Sequence, residues 1–314
     1  MNISIISIIK RYVNRIIAYL VGFVLRPSAT SDTINFRIWE KRGYHITPDN
    51  FYSPIPNISE LEREFPNESG MFGLKLNLEE QICLLNEIVS GYSIEYNSFD
   101  IRSSNPDSFH LDNDAFSGID PYVYYCMIRY FKPKKIIEIG SGYSTLLAHQ
   151  ALKRNNSDFK FIIIDPWPRD FTNRFLSNNS SSLMHFSEKA ENIDINTYLN
   201  LQKNDILFID GSHVVRIGGD VCFLVLELLP QLSSGVIIHF HDIFIPNDYP
   251  KDWVVNKHLF WSEQYLLQAY ITENDNVEIL FASNFVSKKA PKILKNTFPM
   301  ALWWGGGSFW IRKL

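Results

Sequence analysis

Two strings of residues carry side chains able to do chemistry. Asp205 to His213 reads Asp-Ile-Leu-Phe-Ile-Asp-Gly-Ser-His, and Val236 to Asp242 reads Val-Ile-Ile-His-Phe-His-Asp. In each, an apolar run of strand length ends in acids and imidazoles. If the runs are neighbouring parallel strands, Asp210, His241 and Asp242 leave them at one edge. Two carboxylates and an imidazole there can hold a divalent cation such as Mg2+ or Mn2+, which would grip a hydroxyl and lower its pKa. His213 follows Asp210 by three residues, and an imidazole of ordinary pKa, about 6.5, keeps a neutral fraction able to take that proton. The same residues also read as polar groups satisfying strand ends, or as Asp210 and His213 working without metal. His239 shares a strand face with His241 and reads as structural. Arg216 and Asp220 either shape a pocket floor or pair at the surface.

A third string differs in kind. Ile136-Ile137-Glu138-Ile139-Gly140-Ser141-Gly142-Tyr143-Ser144 is an apolar strand running into a glycine turn and then a helix. A turn without Cβ atoms lets backbone N–H groups approach a ligand closely. Asp165 closes the next apolar run, Phe161 to Ile164, 25 residues after Gly140, and a carboxylate there can accept hydrogen bonds from both hydroxyls of a ribose. A nicotinamide site would want the fuller G-x-G-x-x-G pattern, whose last position is Thr145 here. A plain tight turn remains the other reading.

The elements that must position these residues alternate between short apolar runs and amphipathic stretches, as in a doubly wound α/β sheet. Strands are predicted at Lys135–Ile139, Phe159–Ile164, Leu183–Phe186, Ile206–Ile209 and Val236–Phe240, with Val277–Ala282 and Ser308–Arg312 pairing antiparallel at the sheet edge. Helices are predicted at Leu78–Val89, Pro121–Tyr130 with Asp120 as N-cap, Thr145–Lys153, Gly219–Leu229 ended by Pro230, and Trp261–Tyr270. Trp303 to Gly307 reads as the turn between the last two strands. Three parts result: an amphipathic helix over 1–30, a lid or extension over 31–120, and the sheet domain over 121–314. Tyr44–Pro56 and Asn113–Phe116 carry aromatic groups in need of burial, as core cover or as a lid that excludes water.

Net charge −4 with 20% charged residues gives no global basic field, so nucleic acid is not an expected partner. Cys83, Cys126 and Cys222 are odd in number and far apart, which excludes a disulfide framework and points to a reducing, cytoplasmic setting. In the first 25 residues Ser7, Lys10, Arg11, Asn14 and Arg15 share one helical face, and Ile6, Ile9, Val13, Ile16, Ile17 and Leu20 the other. The apolar run after Arg15 is too short to span a bilayer, for which about 20 residues are needed. The helix is therefore an arm packing on its own domain or a partner subunit, or a peripheral membrane contact. The oligomeric state is not legible.

Glu138, Gly140 and Gly142 resemble the first motif of the class I S-adenosylmethionine methyltransferases, with Ser144 at the third glycine. Tyr44–Pro56, Asn113–Gly118, Phe208–His213, His239–Phe244 and Trp261–Leu267 look like a bacterial methyltransferase family of largely unassigned substrates, the Methyltransf_24 type. The resemblance spans about residues 40–314. It implies a Rossmann-like, mostly parallel seven-stranded sheet ending in an antiparallel pair. It also implies a cofactor site in which Glu138, Gly140, Ser141 and Gly142 cradle the methionine part and Asp165 takes the ribose; Asp210, with or without metal, would face the cofactor methyl or the substrate. The layout at Asp210, His241, Asp242 and His213 is similar to magnesium-dependent catechol-type O-methyltransferases, which use lysine at the His213 position. The expected activity is O-methylation of a small molecule or glycan. A metal-independent N- or O-methyltransferase, a non-catalytic nucleoside-binding protein and a nicotinamide dehydrogenase are the competing readings.

Overall fold

The computed structural model describes residues 5–24, 33–63, 65, 70–105 and 107–314, which fall into two compact units, Met1–Glu64 and Phe65–Leu314. The first holds helices Ile5–Val24, Thr33–Glu40 and Ile58–Arg63; the remainder of the expected 1–30 segment lies outside the described residues. Tyr44, Phe51 and Tyr52 are 63%, 95% and 88% exposed, so the burial their size suggested is not found there. Phe51 meets Tyr52 edge-on, and Phe36 stacks on His45.

In the second unit seven strands form one sheet: β1 Lys135–Ile139, β2 Lys160–Ile164, β3 Leu183–Phe186, β4 Ile206–Ile209, β5 Ile237–Phe240, β6 Val277–Ala282 and β7 Phe309–Lys313. Their order is β3-β2-β1-β4-β5-β7-β6. Strands β1 to β5 are mutually parallel, and β7 runs antiparallel to both β5 and β6. The near-continuous apolar runs of β1, β2, β4 and β5 are buried, as strands covered by helices on both faces must be. The chain reverses its winding between β1 and β4, the place where open α/β sheets open a crevice.

Helix Asp120–Phe131 is buried from Asp120 through Ile128. It packs on helices Leu78–Val89 and Tyr143–Arg154, so residues from Phe65 to 120, grouped by the sequence reading with a lid, belong to the same compact unit as the sheet. Lys132, left-handed at φ 47°, closes the helix, and Pro133 directly after it disfavours further helix. Asp120 is not the N-cap: Ile119 holds that position and Asp120 is the first helical residue, its carboxylate committed elsewhere.

Two further expectations need correction. The stretch Gly219–Leu229 is not one regular helix; a π-helical turn at Phe223–Leu228 separates Asp220–Cys222 from Leu229–Gln231. Leu229 N donates to Leu224 O one residue further back than in an α-helix, and Pro230, without an N–H, cannot restore the regular ladder. Trp303 to Gly307 is not a hairpin turn either, because helices Ser283–Lys289 and Pro291–Thr297 intervene between β6 and β7. Its glycines serve contact instead: a Cβ on Gly306 would lie 2.1 Å from Asp120 Oδ1, and one on Gly307 2.9 Å from Asp242 Cα.

Candidate active site

Register brings the chemistry together. Ile139 pairs with Ile164 and Ile209, and Ile209 with Phe240, so Gly140, Asp165, Asp210 and His241 are each the next residue after four aligned strand ends. Backbone bonds continue the ladder one step: Gly140 N donates to Ile164 O, Asp210 N to Ile139 O and His241 N to Ile209 O, each at 3.0 Å.

Beyond this edge lies a cleft of about 340 Å³ lined by Gly140, Ser141, Asp165, Trp167, Asp210 and Arg216 among others, with Asp220 on its wall. Gly140 has φ +82°, and a Cβ there would meet Asp210 O at 2.1 Å; only glycine allows this crossing of two strand ends. Gly142 needs no such freedom, since its φ is 179° and nothing lies within 4 Å of an added Cβ. The Asp165 carboxylate is held from two sides, accepting from Ser141 Oγ at 2.5 Å and from Trp167 N at 2.8 Å.

Glu138 is among the expected cofactor residues but does not line the cleft. It is fully buried behind the glycine bend, where Ser144 Oγ and Thr145 Oγ1 donate to its Oε1 and Oε2 has no partner. Burial, opposed by those two hydrogen bonds and aided by the charges of Asp210 and Asp165, pushes its pKa up to about 8 from 4.5. The folded chain therefore keeps a proton that the unfolded chain releases, and stability falls as pH rises from about 4.5 to about 8. That loss is at most about 5 kcal/mol. Glu138→Gln keeps the shape and removes the titration, so its melting temperature between pH 5 and 8 should fall less steeply than the wild type's. An equal slope in the two proteins would refute the assignment.

At the β4 and β5 ends, His213 Nε2 lies 3.2 Å from Asp210 Oδ1, and His241 Nδ1 lies 3.7 Å from Asp210 Oδ1 and 3.5 Å from Asp242 Oδ1. Ligand atoms of Asp210, His241 and Asp242 all fall within 4.8 Å of one another. The structure thus gathers the metal and base candidates around Asp210, and Asp210 shares the cleft with the ribose candidate Asp165, whereas His213, His241 and Asp242 are not among the cleft-lining residues. His213 and Asp242 take left-handed backbones, φ +58° and +59°, which non-glycine residues adopt at a cost that surrounding contacts must offset.

Two residues were missed. Glu263, wholly buried at the start of helix Glu263–Ile271, approaches His213 Nδ1 at 2.8 Å. The backbone N–H groups of Ser262 and Glu263 donate to His213 O, and Trp261 lies over the imidazole at 4.3 Å. Asp120 is the second. It accepts from Gly307 N at 2.7 Å, Ser308 N at 3.3 Å and Ser283 Oγ at 2.7 Å, and faces His241 Nε2 at 3.5 Å. Pro121 beside Asp120 points to a cap, and Glu263 falls within the predicted helix Trp261–Tyr270; neither pattern names a distant imidazole.

These acids set the charges. Burial works against a charged His213, but hydrogen bonds to Asp210 and Glu263 and their charges raise it to about 10, above the ordinary value assumed from sequence. Burial likewise opposes charge on His241, and the carboxylates of Asp242, Asp210 and Asp120 outweigh it and hold the imidazole well above its usual range. Against burial, the two imidazoles hold Asp210 well below the usual carboxylate range. Burial pushes Glu263 up. His239 is structural: Ser308 Oγ lies 2.7 Å from its Nε2, Trp310 stacks on it at 3.9 Å, and burial keeps it far below the ordinary imidazole value. Of the expected lid, Phe116 is buried 5.2 Å from the His241 ring, and Asp114 pairs with Arg169 of the cleft at 3.0 Å.

Residues 137–243 match the family described as a methyltransferase domain. An uncharacterized protein of Archaeoglobus fulgidus is 30% identical over 173 residues, 52% of this chain and 77% of its own length. Among solved structures, the SAH-bound methyltransferase PaMTH1 of Podospora anserina aligns over 82% of this chain and 93% of its own, at 16% identity and TM-score 0.40. Cofactor-bound Rv0187 from MTB aligns over 65% and 83%, at 12% identity and TM-score 0.40.

Proposed function

We propose that this chain, which belongs to the class I S-adenosylmethionine-dependent methyltransferases, methylates a hydroxyl of a small molecule or glycan, assisted by a divalent cation at Asp210, His241 and Asp242. The observation that carries the reading is one cleft joining the Gly140 bend and the Asp165 carboxylate to Asp210.

The donor set fits the cofactor. Gly140 brings backbone to the ligand without a Cβ, and Asp165, pinned by Ser141 and Trp167 N, offers two oxygens to a ribose diol. S-adenosylmethionine supplies an electrophilic methyl on a charged sulfur. The cation also fits, because His241 Nδ1 is buried without a hydrogen-bond partner while its Nε2 turns to Asp120. A carboxylate behind a ligating histidine is how such rings are usually oriented. A cation there would add Lewis acidity at the acceptor hydroxyl.

The chain's own groups do the rest. Asp210 anchors His213 from one side and Glu263 from the other, so the ring plane is set before substrate arrives. His213 is to accept the hydroxyl proton at Nε2, the nitrogen turned to the cleft-lining Asp210. Any ligand that draws the Asp210 carboxylate away from His213 lowers the imidazole pKa and frees that nitrogen. Phe116 against His241 keeps water from the charged cluster.

A metal-independent reading is favoured by one observation, the strong bias of His241 toward its protonated form, since an imidazolium has no free lone pair for a metal. Transfer from methyl-labelled S-adenosylmethionine to a pool of hydroxylated metabolites, with chelator and then with Mg2+ or Mn2+ restored, separates the two. The proposal expects chelator to cut transfer by at least about tenfold and the ion to restore it. Chelator-insensitive transfer selects the metal-free mechanism, and cofactor binding without transfer to any acceptor selects a binding protein.

A further inference from the structure

Every described side chain from Ile9 to Leu20 in helix Ile5–Val24 is exposed. Ile9, Val13, Ile16, Ile17 and Leu20, at 56%, 47%, 60%, 51% and 58% exposure, fall within an arc of roughly 100°. Lys10 and Asn14 flank that arc on one side. Tyr12 and Tyr19 flank it on the other, with the Arg15 guanidinium 5.9 Å from the Tyr12 ring. Residues 1–31 contain Lys10, Arg11, Arg15 and Arg26 and no acid, in a chain whose net charge is −4. No described helix is long and apolar enough to cross a membrane.

We propose that this helix lies flat in the headgroup layer of an anionic phospholipid bilayer. The aliphatic arc enters the acyl boundary, the tyrosines sit at the level where amphipathic rings collect, and the cations reach lipid phosphates along their flexible stems. A second copy of the helix fits less well. Helix pairs that bury such a seam use opposite charges beside it, and this segment has cations alone. The proposal is independent of the chemistry at the cleft.

Flotation of the full-length protein with vesicles tests it. Vesicles of about one-third phosphatidylserine should carry the protein upward, and pure phosphatidylcholine should bind at least about tenfold less, as should the anionic vesicles in about 1 M salt. Each of Lys10→Glu and Arg15→Glu should weaken binding about fivefold or more. Ile16→Glu/Ile17→Glu should abolish it with the melting temperature unchanged. Absence of flotation overturns the proposal. So does a fall in the melting temperature of the double variant, which would mean the face is covered by its own chain, and so does its conversion from dimer to monomer in sedimentation, which would mean a second copy covers it.

Discussion

Asp210→Asn should lower the rate of methyl transfer by about a thousandfold or more. The carboxylate is the meeting point of the site: His213 Nε2 at 3.2 Å, His241 Nδ1 at 3.7 Å, and the wall of the cleft. Asparagine preserves the shape and removes the charge. Two imidazoles then lose a shared counter-ion, His213 loses the carboxylate that holds its Nε2 side, and the candidate cation site loses one of its two anionic ligands. The loss should sit in kcat, with the cofactor KM changed less than about tenfold, because Asp165 and Gly140 are untouched. Breaking a buried pair costs about 3–5 kcal/mol, but Asp210 is 34% exposed, and solvent screening should hold the stability loss near about 1–2 kcal/mol. A variant turning over within tenfold of the wild type would remove Asp210 from the chemistry.

Gly140→Ala should damage both the fold and the cleft. Its Cβ would sit 2.1 Å from Asp210 O, a backbone atom that cannot swing aside like a side chain, and the backbone must also hold φ +82°, which costs an L-residue roughly 1–2 kcal/mol. Together these should destabilise the ligand-free protein by about 2–4 kcal/mol and displace Asp210, weakening cofactor binding more than about tenfold. Gly142→Ala is the matched control. With φ 179° and open space around the new methyl, it should move the ligand-free melting temperature by no more than about 2 °C. Equal destabilisation at the two positions would show that generic glycine loss, not this crossing, governs the loop.

The contrast between those glycines shows what sequence could and could not deliver. Both occupy the same motif, yet only Gly140 meets a second strand end, and that depends on β4 lying beside β1. The strands themselves were legible because residues buried on both faces must be apolar throughout, as in Ile136-Ile137 and Ile206-Leu207-Phe208-Ile209. Asp165, Asp210, His241 and Asp242 were legible because polar groups that end such runs arrive at one edge by register. Glu263 and Asp120 were not, since each finds its imidazole 50 and 121 residues away in the chain, and neither local pattern encodes the pairing. The short helices Ser283–Lys289 and Pro291–Thr297 escaped for another reason: at seven residues each, neither is long enough to repeat an apolar stripe.

Calorimetric titration of S-adenosylhomocysteine into the metal-free protein tests the central claim most directly, because it isolates the grip of the Gly140 bend and Asp165 from the chemistry beyond. One molecule should bind per chain with a dissociation constant of about 100 μM or tighter, and Asp165→Ala should weaken it at least about a hundredfold, equivalent to roughly 3 kcal/mol for a lost pair of charge-assisted hydrogen bonds. No heat from the wild type, or undiminished binding in Asp165→Ala, would contradict it.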